Sequence, residues 1–221
     1  MDVKATELTK KRYNRIAQMY DAMELIAELA GYEKWRKLLW EKVEGNTILE
    51  VGVGTGKNFP YYPDEAEITA IDLSDRMLER ARKYATKIGS HVKLLQMDVQ
   101  ELKFEDNTFD TVLDSFVFCS VPDPILGLKE IGRVVKPGGK ILMLEHVLSA
   151  NRIVASIMNF MNPIMVRMMG ANMNRKTVEN VTISGLRIER VTDLRAGIFK
   201  LIEARKDTVA GQGILIERRT K

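Results

Sequence analysis

A glycine-rich loop directly after a hydrophobic strand constrains this chain more than any other feature. Gly52, Gly54 and Gly56 stand at alternate positions after the apolar run Ile48–Val51. Glycine in such a loop lets the backbone turn tightly and approach a ligand where a Cβ atom would collide. The loop therefore predicts a ligand-binding turn at the end of the first strand of an α/β sheet.

Spacing excludes two common classes of glycine loop. A dinucleotide fingerprint requires a third glycine where this chain has Lys57. A phosphate-binding P-loop requires glycine and a hydroxyl residue where the chain has Val51 and Asn58. The loop is therefore typical of neither class.

Carboxylates follow the next strands and indicate a nucleoside carrying an amino acid. Asp72 comes about 20 residues after the loop, at the end of the second strand, where a carboxylate can accept both hydroxyls of a ribose. Asp98 follows the third strand and can accept from an adenine amino group beside the Val99 amide. Glu50 precedes the glycines and can receive an ammonium directly or through the loop. An acid there suits a zwitterion and would repel a pyrophosphate.

This set resembles the motifs of class I S-adenosylmethionine-dependent methyltransferases over about residues 45–146. The matching segments are Glu50–Gly56, Ala70–Ser74 with Met77, Met97–Val99, Phe109–Ser115 and Arg133–Gly139. The resemblance implies S-adenosylmethionine as cofactor and S-adenosylhomocysteine as product. The cofactor-binding residues that it implies are Glu50, Gly52, Gly54, Thr55, Gly56, Asn58, Asp72, Leu73, Met77, Asp98, Val99 and Ser115.

Short β-rich runs alternate with helical stretches, which is the pattern of a parallel sheet with crossover helices. The predicted strands are Thr47–Val51, Glu67–Ile71, Val92–Gln96, Thr111–Asp114 and Lys140–Glu145, with Leu186–Asp193 and Gly197–Ala204 as the last two. Helices are predicted at 74–88, capped by Ser74, and at 123–135, ended by Lys136–Gly139. The resemblance implies an α/β, Rossmann-like, seven-stranded sheet of order 3-2-1-4-5-7-6 with the last strand antiparallel.

The 221 residues suit a single domain with a helical appendage. We divide residues 1–221 into a helical cap (1–44, two helices separated at Gly31), a donor-binding core (45–147), an apolar flap (148–184), the final strands (185–205) and a tail (206–221). The start of the chain has no apolar run of a secretory signal, and no uninterrupted apolar stretch reaches 18 residues. One cysteine, Cys119, fits a reducing compartment, and two histidines predict no metal site. We expect a cytoplasmic protein.

The cap segment Tyr13–Asp21 resembles a Y-x-x-x-A-x-x-Y-D segment of lipid and quinone methyltransferases of this class. In those enzymes the segment folds over the donor. Tyr13 or Tyr20 can then face the sulfonium and orient donor and acceptor as catalytic residues. The alternative is that both tyrosines simply pack the cap against the sheet.

The flap is the most distinctive segment outside the core. Residues 151–178 contain no acid and six of the twelve methionines, together with the bases Arg152, Arg167, Arg175 and Lys176. Its stretch Ile153–Val166 has no charge, is too short to span a bilayer and is expected to be interrupted at Asn162-Pro163. Methionine-rich apolar surface flanked by arginines favours a lipid or an anionic membrane surface. A core helix or a dimer interface is the alternative.

Two stretches resemble bacterial phosphatidylethanolamine N-methyltransferases of the soluble, Rhodobacter-like type. They are Asp114–Pro124 with Leu144–Val147, and Asn174–Val181. They also resemble mammalian alkyl-thiol methyltransferases, so an alkyl thiol or a quinone precursor stays open as acceptor, as does a non-catalytic donor-binding membrane protein. If the acceptor is a phospholipid, the resemblance implies Arg175, Lys176 and Arg152 as substrate-binding residues. His146 is then either a relay for the amine proton or a structural histidine.

The same interpretation predicts a protein bound peripherally to the inner face of the membrane, with a phospholipid substrate and no obligate protein partner. Nucleic acid is not expected as a partner. The net charge is only +4, and Asp114–Val117 stands where a nucleic-acid methyltransferase has an Asn/Asp-Pro-Pro-aromatic tetrapeptide.

Overall fold

The structure, a computed structural model, describes residues 2–29 and 31–207, and within the first helix it describes side chains only up to Ala17. The helices in this range are α1 (Val3–Leu29), α2 (Tyr32–Trp40), α3 (Asp75–Ile88), α4 (Pro124–Val134), α5 (Arg152–Met169) and α6 (Thr177–Ile183), with a 3-10 turn at Phe59–Tyr61. The strands are β1 (Thr47–Val51), β2 (Glu67–Asp72), β3 (Lys93–Gln96), β4 (Phe109–Ser115), β5 (Val135–His146), β6 (Arg187–Arg195) and β7 (Phe199–Arg205). The tail from residue 208 onward, including the segment 211–216, lies outside the described residues.

The seven strands form one sheet in the order β3-β2-β1-β4-β5-β7-β6, which confirms the predicted fold. Strands β1 to β5 are parallel to one another, and β7 runs antiparallel to both β5 and β6. The carboxyl ends of β1, β2 and β4 therefore meet at one edge, where ligands bind in open α/β sheets.

Helices cover both faces of the sheet, and alternate strand residues enter different clusters. On one face, Leu49 and Val51 pack with Leu128 and Ile131 of α4. On the other face, Ile48 packs with Leu39 of α2, and Ala70 packs with Leu78 and Ala81 of α3. Burial on both faces is why the central strands are nearly continuous apolar runs.

Helix ends follow the sequence closely. The Ser74 side chain accepts a hydrogen bond from the Met77 amide at the start of α3, which confirms the predicted cap. Gly31 separates α1 from α2 with a left-handed φ of 102°. The second helix ends at Trp40, so the helical cap is four residues shorter than predicted.

The start of β5 differs from the prediction. The strand begins at Val135, so the predicted turn Lys136–Gly139 belongs to it, and the register with β4 shifts near its start. The two glycines permit this irregular start. Gly138 has a φ of 73°, and a Cβ atom on Gly139 would lie 2.8 Å from the Asp110 carbonyl oxygen.

The prediction that Asn162-Pro163 interrupts the flap is wrong, because α5 runs through Pro163. A proline inside a helix removes one backbone hydrogen bond and destabilises the helix. Here, side-chain hydrogen bonds to the next segment help to stabilise it. Asn162 Oδ1 accepts from the Met173 amide at 2.8 Å, and Asn159 Oδ1 accepts from Asn174 Nδ2 at 2.9 Å. Among the helices of the described residues, none is long and apolar enough to cross a membrane.

Helix α1 lies across the carboxyl edge of the sheet as a roof. Thr6 Oγ1 donates to Asp98 Oδ2 after β3 at 3.2 Å, and Ser74 Oγ after β2 is bonded to Asn14 Oδ1 at 2.6 Å. A salt bridge of 3.2 Å joins Lys10 to Asp75. The cap therefore contacts the loops that follow two neighbouring strands.

Candidate active site

A cleft of about 690 Å³, part of it open to solvent, lies between α1 and the carboxyl ends of β1, β2 and β4. Eight of the twelve residues predicted to bind the donor line it: Gly52, Gly54, Asp72, Leu73, Met77, Asp98, Val99 and Ser115. The roof contributes Thr9 and Tyr13. Folding thus brings four separate sequence motifs and the cap to one place.

The glycine loop forms a cradle that side chains would fill. Gly52, Gly54 and Gly56 have φ values of 67°, 56° and 91°, in the left-handed region that glycine adopts without strain. A Cβ atom on Gly52 would lie 2.3 Å from Cγ2 of Val117, which also lines the cleft. Gly56 does not line the cleft but packs against Phe59, where a Cβ atom would lie 2.4 Å from the ring.

Asp72 joins the loop to the start of α3. Its Oδ2 accepts from the Gly54 amide at 2.9 Å, and its Oδ1 accepts from the Ser74 amide at 2.8 Å. Burial raises the pKa of Asp72 to about 6, against these two bonds that lower it. The carboxyl group is therefore oriented in the cleft wall and titrates close to neutral pH.

Glu50 lies behind the loop and does not line the cleft. Only 1% of the residue is exposed, and its carboxyl group accepts hydrogen bonds from Asn58 Nδ2, at 2.7 Å, and from the Tyr62 hydroxyl. Burial raises the pKa of Glu50 to about 7. Asn58 also donates to Ser115 Oγ at 3.2 Å, so it links this acid to a residue of the cleft wall. Glu50 therefore has no direct contact with the cleft, and we expect it to influence a ligand only through its charge and through the loop.

A second pair of buried acids, which the sequence did not indicate, lies on the opposite face of the sheet. Glu145 Oε1 accepts from the Val117 and Phe118 amides at 2.7 and 2.8 Å, and holds the turn after β4. Burial and mutual repulsion raise the pKa of Asp114, and burial raises that of Glu145. Two adjacent buried carboxyl groups share a proton rather than ionise together. The register of β4 and β5 places Asp114 opposite Met143, so Glu145, two residues later, lies on the same face of the sheet. The pair could therefore have been predicted once that register was known.

Asp98 and Tyr13 connect the cleft to its roof. Asp98 accepts from the Gln100 amide at 2.9 Å and from the Thr6 hydroxyl. The Tyr13 hydroxyl is hydrogen-bonded to Ser120 Oγ, and both residues line the cleft. Burial raises the pKa of Tyr13, so this phenol stays protonated. Ser120, like the pair of acids, was not among the predicted site residues.

Among the described side chains, the other predicted catalytic and substrate residues do not line the cleft. His146 is at the end of β5 beside Phe199, and its buried Nδ1 has no hydrogen-bond partner in the described structure. Arg175 Nη2 donates to the Val121 carbonyl at 2.7 Å. Lys176 is exposed and paired with Glu179 at 3.1 Å, and Arg152 is exposed at the first turn of α5. Thr55 and Asn58 are buried in and behind the loop, and the side chain of Tyr20 lies outside the described part of the chain.

The charges around the cleft suit a cationic ligand. Asp72 and Asp98 line it, and Glu50, Asp114 and Glu145 lie buried just beyond its walls. A sulfonium and an ammonium are attracted by these carboxyl groups, whereas a polyphosphate would be repelled. Within residues 2–29 and 31–207, no group of three histidine, cysteine or acidic residues could hold a metal ion.

Comparison with known proteins decides the family. A methyltransferase domain model matches residues 49–143. The phosphatidylethanolamine N-methyltransferase of Cereibacter sphaeroides is 36% identical over 142 residues, which cover 56% of this chain and 70% of that protein. The chain belongs to the S-adenosylmethionine-dependent methyltransferase family. The cofactor of this methyltransferase is therefore S-adenosylmethionine, and the cleft residues fit it.

Two further relatives mark how far the family resemblance reaches. A demethylmenaquinone methyltransferase of Staphylococcus aureus is also 36% identical to this methyltransferase, over 147 residues. The match covers 63% of this chain and 60% of that protein. A solved Thermotoga maritima methyltransferase, described as a possible histamine N-methyltransferase, superposes with a TM-score of 0.69 at 19% identity, over 90% of this chain and all of that one. The fold and the methyltransferase activity are thus common ground, and the acceptor is not.

We expect donor affinity to depend on pH. Glu50 has its pKa raised from 4.5 to about 7, so its contribution to folding stability is complete below pH 4.5 and is lost as the pH rises through 7. A cationic donor favours the ionised carboxyl group. The affinity for the donor should therefore rise between about pH 5.5 and 8. The rise should be roughly tenfold for each unit by which the bound donor lowers the pKa of Glu50. Calorimetric titration in buffers of different ionisation enthalpy measures both the affinity and the proton released.

Glu50→Gln should flatten this profile above pH 6.5, and Asp72, with its pKa of about 6, should keep a smaller dependence at lower pH. Glu65→Gln removes an exposed acid and serves as control. A Glu50→Gln profile as steep as that of the wild type would contradict the role of Glu50.

Proposed function

We propose that this methyltransferase transfers methyl groups to the amine of phosphatidylethanolamine, and to its mono- and dimethyl forms, at the membrane surface. The observation that carries the proposal is an exposed apolar stripe along α5, a helix that the segment 172–174 connects to the cleft wall. The kinship with a phosphatidylethanolamine N-methyltransferase supports the same acceptor.

The stripe consists of large apolar side chains at helical spacing. Ile153 is 73% exposed and Phe160 is 78% exposed, and the full set is Ile153, Ile157, Phe160, Met161, Ile164 and Met168. These positions recur every three to four residues and so lie along one side of the helix. Arg152 and Arg167 stand near its two ends. An apolar stripe with flanking arginines is the composition of a helix that lies in the headgroup region of an anionic bilayer.

The helix is connected to the cleft by its inner side. Asn162 Oδ1 accepts a hydrogen bond from the Met173 amide. The backbone amide of the neighbouring Asn172 donates to the Cys119 carbonyl at 2.8 Å. Cys119 precedes Ser120, which lines the cleft beside Tyr13. A bilayer that receives the stripe would therefore bind a helix that is connected to the cleft wall at Ser120.

The cleft favours an amine over an uncharged acceptor. Tyr13 and Phe116 present aromatic rings, which attract methylated ammonium groups, and Asp72 and Asp98 add negative charge. S-adenosylmethionine supplies the methyl group on a sulfonium. The ammonium group of the lipid would first give a proton to solvent water, and the neutral nitrogen would then bond to the methyl carbon while the electrons of the broken carbon–sulfur bond stay on sulfur. The protein contributes mainly position and charge to this in-line displacement.

The basic residues of the flap are assigned to the lipid phosphate and the membrane. Arg175 lies beside the cleft loop, and its buried Nε has no hydrogen-bond partner in the described structure. It is our first choice for the phosphate of the substrate. Lys176 and Arg152, which are exposed, would meet neighbouring headgroups. The proposed mechanism does not use His146, because it lies outside the cleft lining.

A quinone precursor is the second candidate. The equal identity to a demethylmenaquinone methyltransferase favours it, and an isoprenoid tail would suit the same apolar stripe. An alkyl thiol would need neither the stripe nor an anionic lipid. A non-catalytic donor-binding protein would bind S-adenosylmethionine and turn over none of these acceptors.

We expect label from tritiated S-adenosylmethionine in mono- and dimethyl phosphatidylethanolamine presented in mixed micelles. Added phosphatidylglycerol should increase the rate, because α5 with its two arginines binds the anionic surface. A quinone precursor and a small alkyl thiol are assayed in parallel. Label in one of those alone would replace the proposed acceptor, and donor binding with no labelled product would favour the non-catalytic alternative.

Polar substitution of the stripe should uncouple membrane binding from donor binding. Ile157→Ser combined with Phe160→Ser should lower the affinity for phosphatidylglycerol vesicles by roughly tenfold or more, because each large apolar side chain contributes about 1.5–3 kcal/mol when fully buried. Lipid methylation should fall in parallel, and affinity for S-adenosylmethionine should not. Ile183→Ser is the control, since Ile183 is 61% exposed on α6, outside the stripe. An equal loss in the control would contradict the assignment.

Removal of the Tyr13 hydroxyl should slow turnover more than it weakens donor binding. Tyr13→Phe keeps the ring over the cleft but removes the group that meets Ser120. We expect kcat to fall about 10- to 100-fold, with donor affinity changed by less than about threefold. Single-turnover kinetics measure the step, and Ser120→Ala, which keeps the phenol, should have a smaller effect. A wild-type kcat in Tyr13→Phe would leave Tyr13 a packing role only.

A further inference from the structure

A second cleft, of about 850 Å³, lies on the other side of the glycine loop. Gly54 lines the donor cleft, and the next residue, Thr55, lines the second one. Helix α3 is likewise shared, with Met77 on the donor side and Arg80 one turn later on the second. The two clefts are therefore neighbours with a common wall, and nothing in methyl transfer requires the second.

The second cleft is lined almost wholly by hydrogen-bond donors. Its lining residues are Thr55, Lys57, Arg80, Lys83, Tyr84 and Lys87, which bring four positive charges and no acid. Arg80, Lys83 and Lys87 lie at helical spacing along α3, where like charges repel and cost helix stability. Within the described part of the chain, Lys57, Lys83 and Lys87 form no salt bridge that would offset the repulsion.

Thr55 adds a second, independent sign of a ligand. It is only 5% exposed, yet its hydroxyl has no hydrogen-bond partner in the described structure. A buried hydroxyl without a partner loses its bonds to water and gains none in return. Here it stands in the wall of a cleft whose other polar side chains are four cations and the Tyr84 phenol.

This donor set selects a phosphate group. Ammonium and guanidinium groups can only donate, and phosphate oxygens only accept, so their bonds are charge-assisted. A nucleic acid is disfavoured, because the ring of Tyr84 is stacked on Phe59 at 5.8 Å rather than open to a base. S-adenosylmethionine carries no phosphate, so the cleft is not an extension of the donor site.

We propose that this cleft is a phosphate-binding site, separate from the donor and acceptor sites, which takes the phosphate of an anionic phospholipid headgroup or free phosphate. The site does not depend on the identity of the methyl acceptor. A lipid phosphate bound there would give the protein a second contact with the bilayer besides α5.

The test compares the full-length wild type with Lys83→Gln/Lys87→Gln. Both lysines are exposed and lie outside the donor cleft, so the fold and S-adenosylmethionine affinity should be unchanged. Lys103→Gln/Lys129→Gln removes the same charge from two exposed positions outside the second cleft and is the matched control. One arm titrates inorganic phosphate by calorimetry. The other arm measures co-sedimentation with vesicles of phosphatidylcholine containing one third phosphatidylglycerol, without methyl acceptor turnover.

If the ligand is a lipid phosphate, Lys83→Gln/Lys87→Gln should lose about 30-fold in vesicle affinity, because each basic residue at an anionic surface contributes about fivefold. The control should lose far less. If the ligand is free phosphate, the double variant should lose phosphate binding while its vesicle binding matches that of the control.

Equal behaviour of the two double variants in both arms would overturn the site. Because neither arm scores methylation, a difference between the variants would stand even if phosphatidylethanolamine proved not to be the acceptor. Failure of the proposed function and failure of this site are therefore separate outcomes.

Discussion

Buried carboxyl groups crowd the carboxyl edge of the sheet, and most features of the site depend on how their repulsion is managed. Glu50, Asp72, Asp114 and Glu145 all have raised pKa values, and burial is the largest cause for each. Charges buried in this way oppose folding unless they are neutralised or hydrogen-bonded. The Asn58 amide, the Tyr62 hydroxyl and the amides of the glycine loop partly satisfy them. A cationic ligand would balance the remaining negative charge. The carboxyl groups that destabilise the free protein are therefore expected to attract the donor.

Much of the fold followed from short-range patterns. The Gly31 break and the Ser74 cap were predictable because each rests on a local preference, and the strand order was implied by the resemblance to class I methyltransferases. Residues whose role depends on register were harder. Asp114 and Glu145 meet only because β4 pairs with β5, a contact that neither segment reveals by itself. Pro163 was misjudged for the same reason, since the bonds that support α5 come from the later segment 172–174.

The site residues divide along the same line. Those predicted to bind the donor lie on the glycine loop and the strand ends, and eight of the twelve line the cleft. Residues assigned to the acceptor belong to the cap and the flap, apart from His146 at the end of β5, and their positions depend on tertiary packing. Arg175 bonds to a carbonyl of the loop after β4, and His146 lies beside Phe199 outside the cleft. The core thus carries the residues assigned to the donor, and the appended helices carry most of those assigned to the acceptor.

The roof and the stripe-bearing helix are mechanically joined. Arg15 of α1 donates to the Met168 carbonyl near the end of α5 at 3.4 Å, and Gly170 sits so close to Arg12 that a Cβ atom would lie 3.0 Å from its Cδ. Helix α1 borders the cleft and is bonded to Asp98 and Ser74, so we expect product exchange to pass this helix. A helix seated in a bilayer moves less freely than one in water. Under the proposed membrane binding, this junction would couple α5 to α1, so that a bilayer bound by α5 would change how readily S-adenosylhomocysteine leaves the cleft.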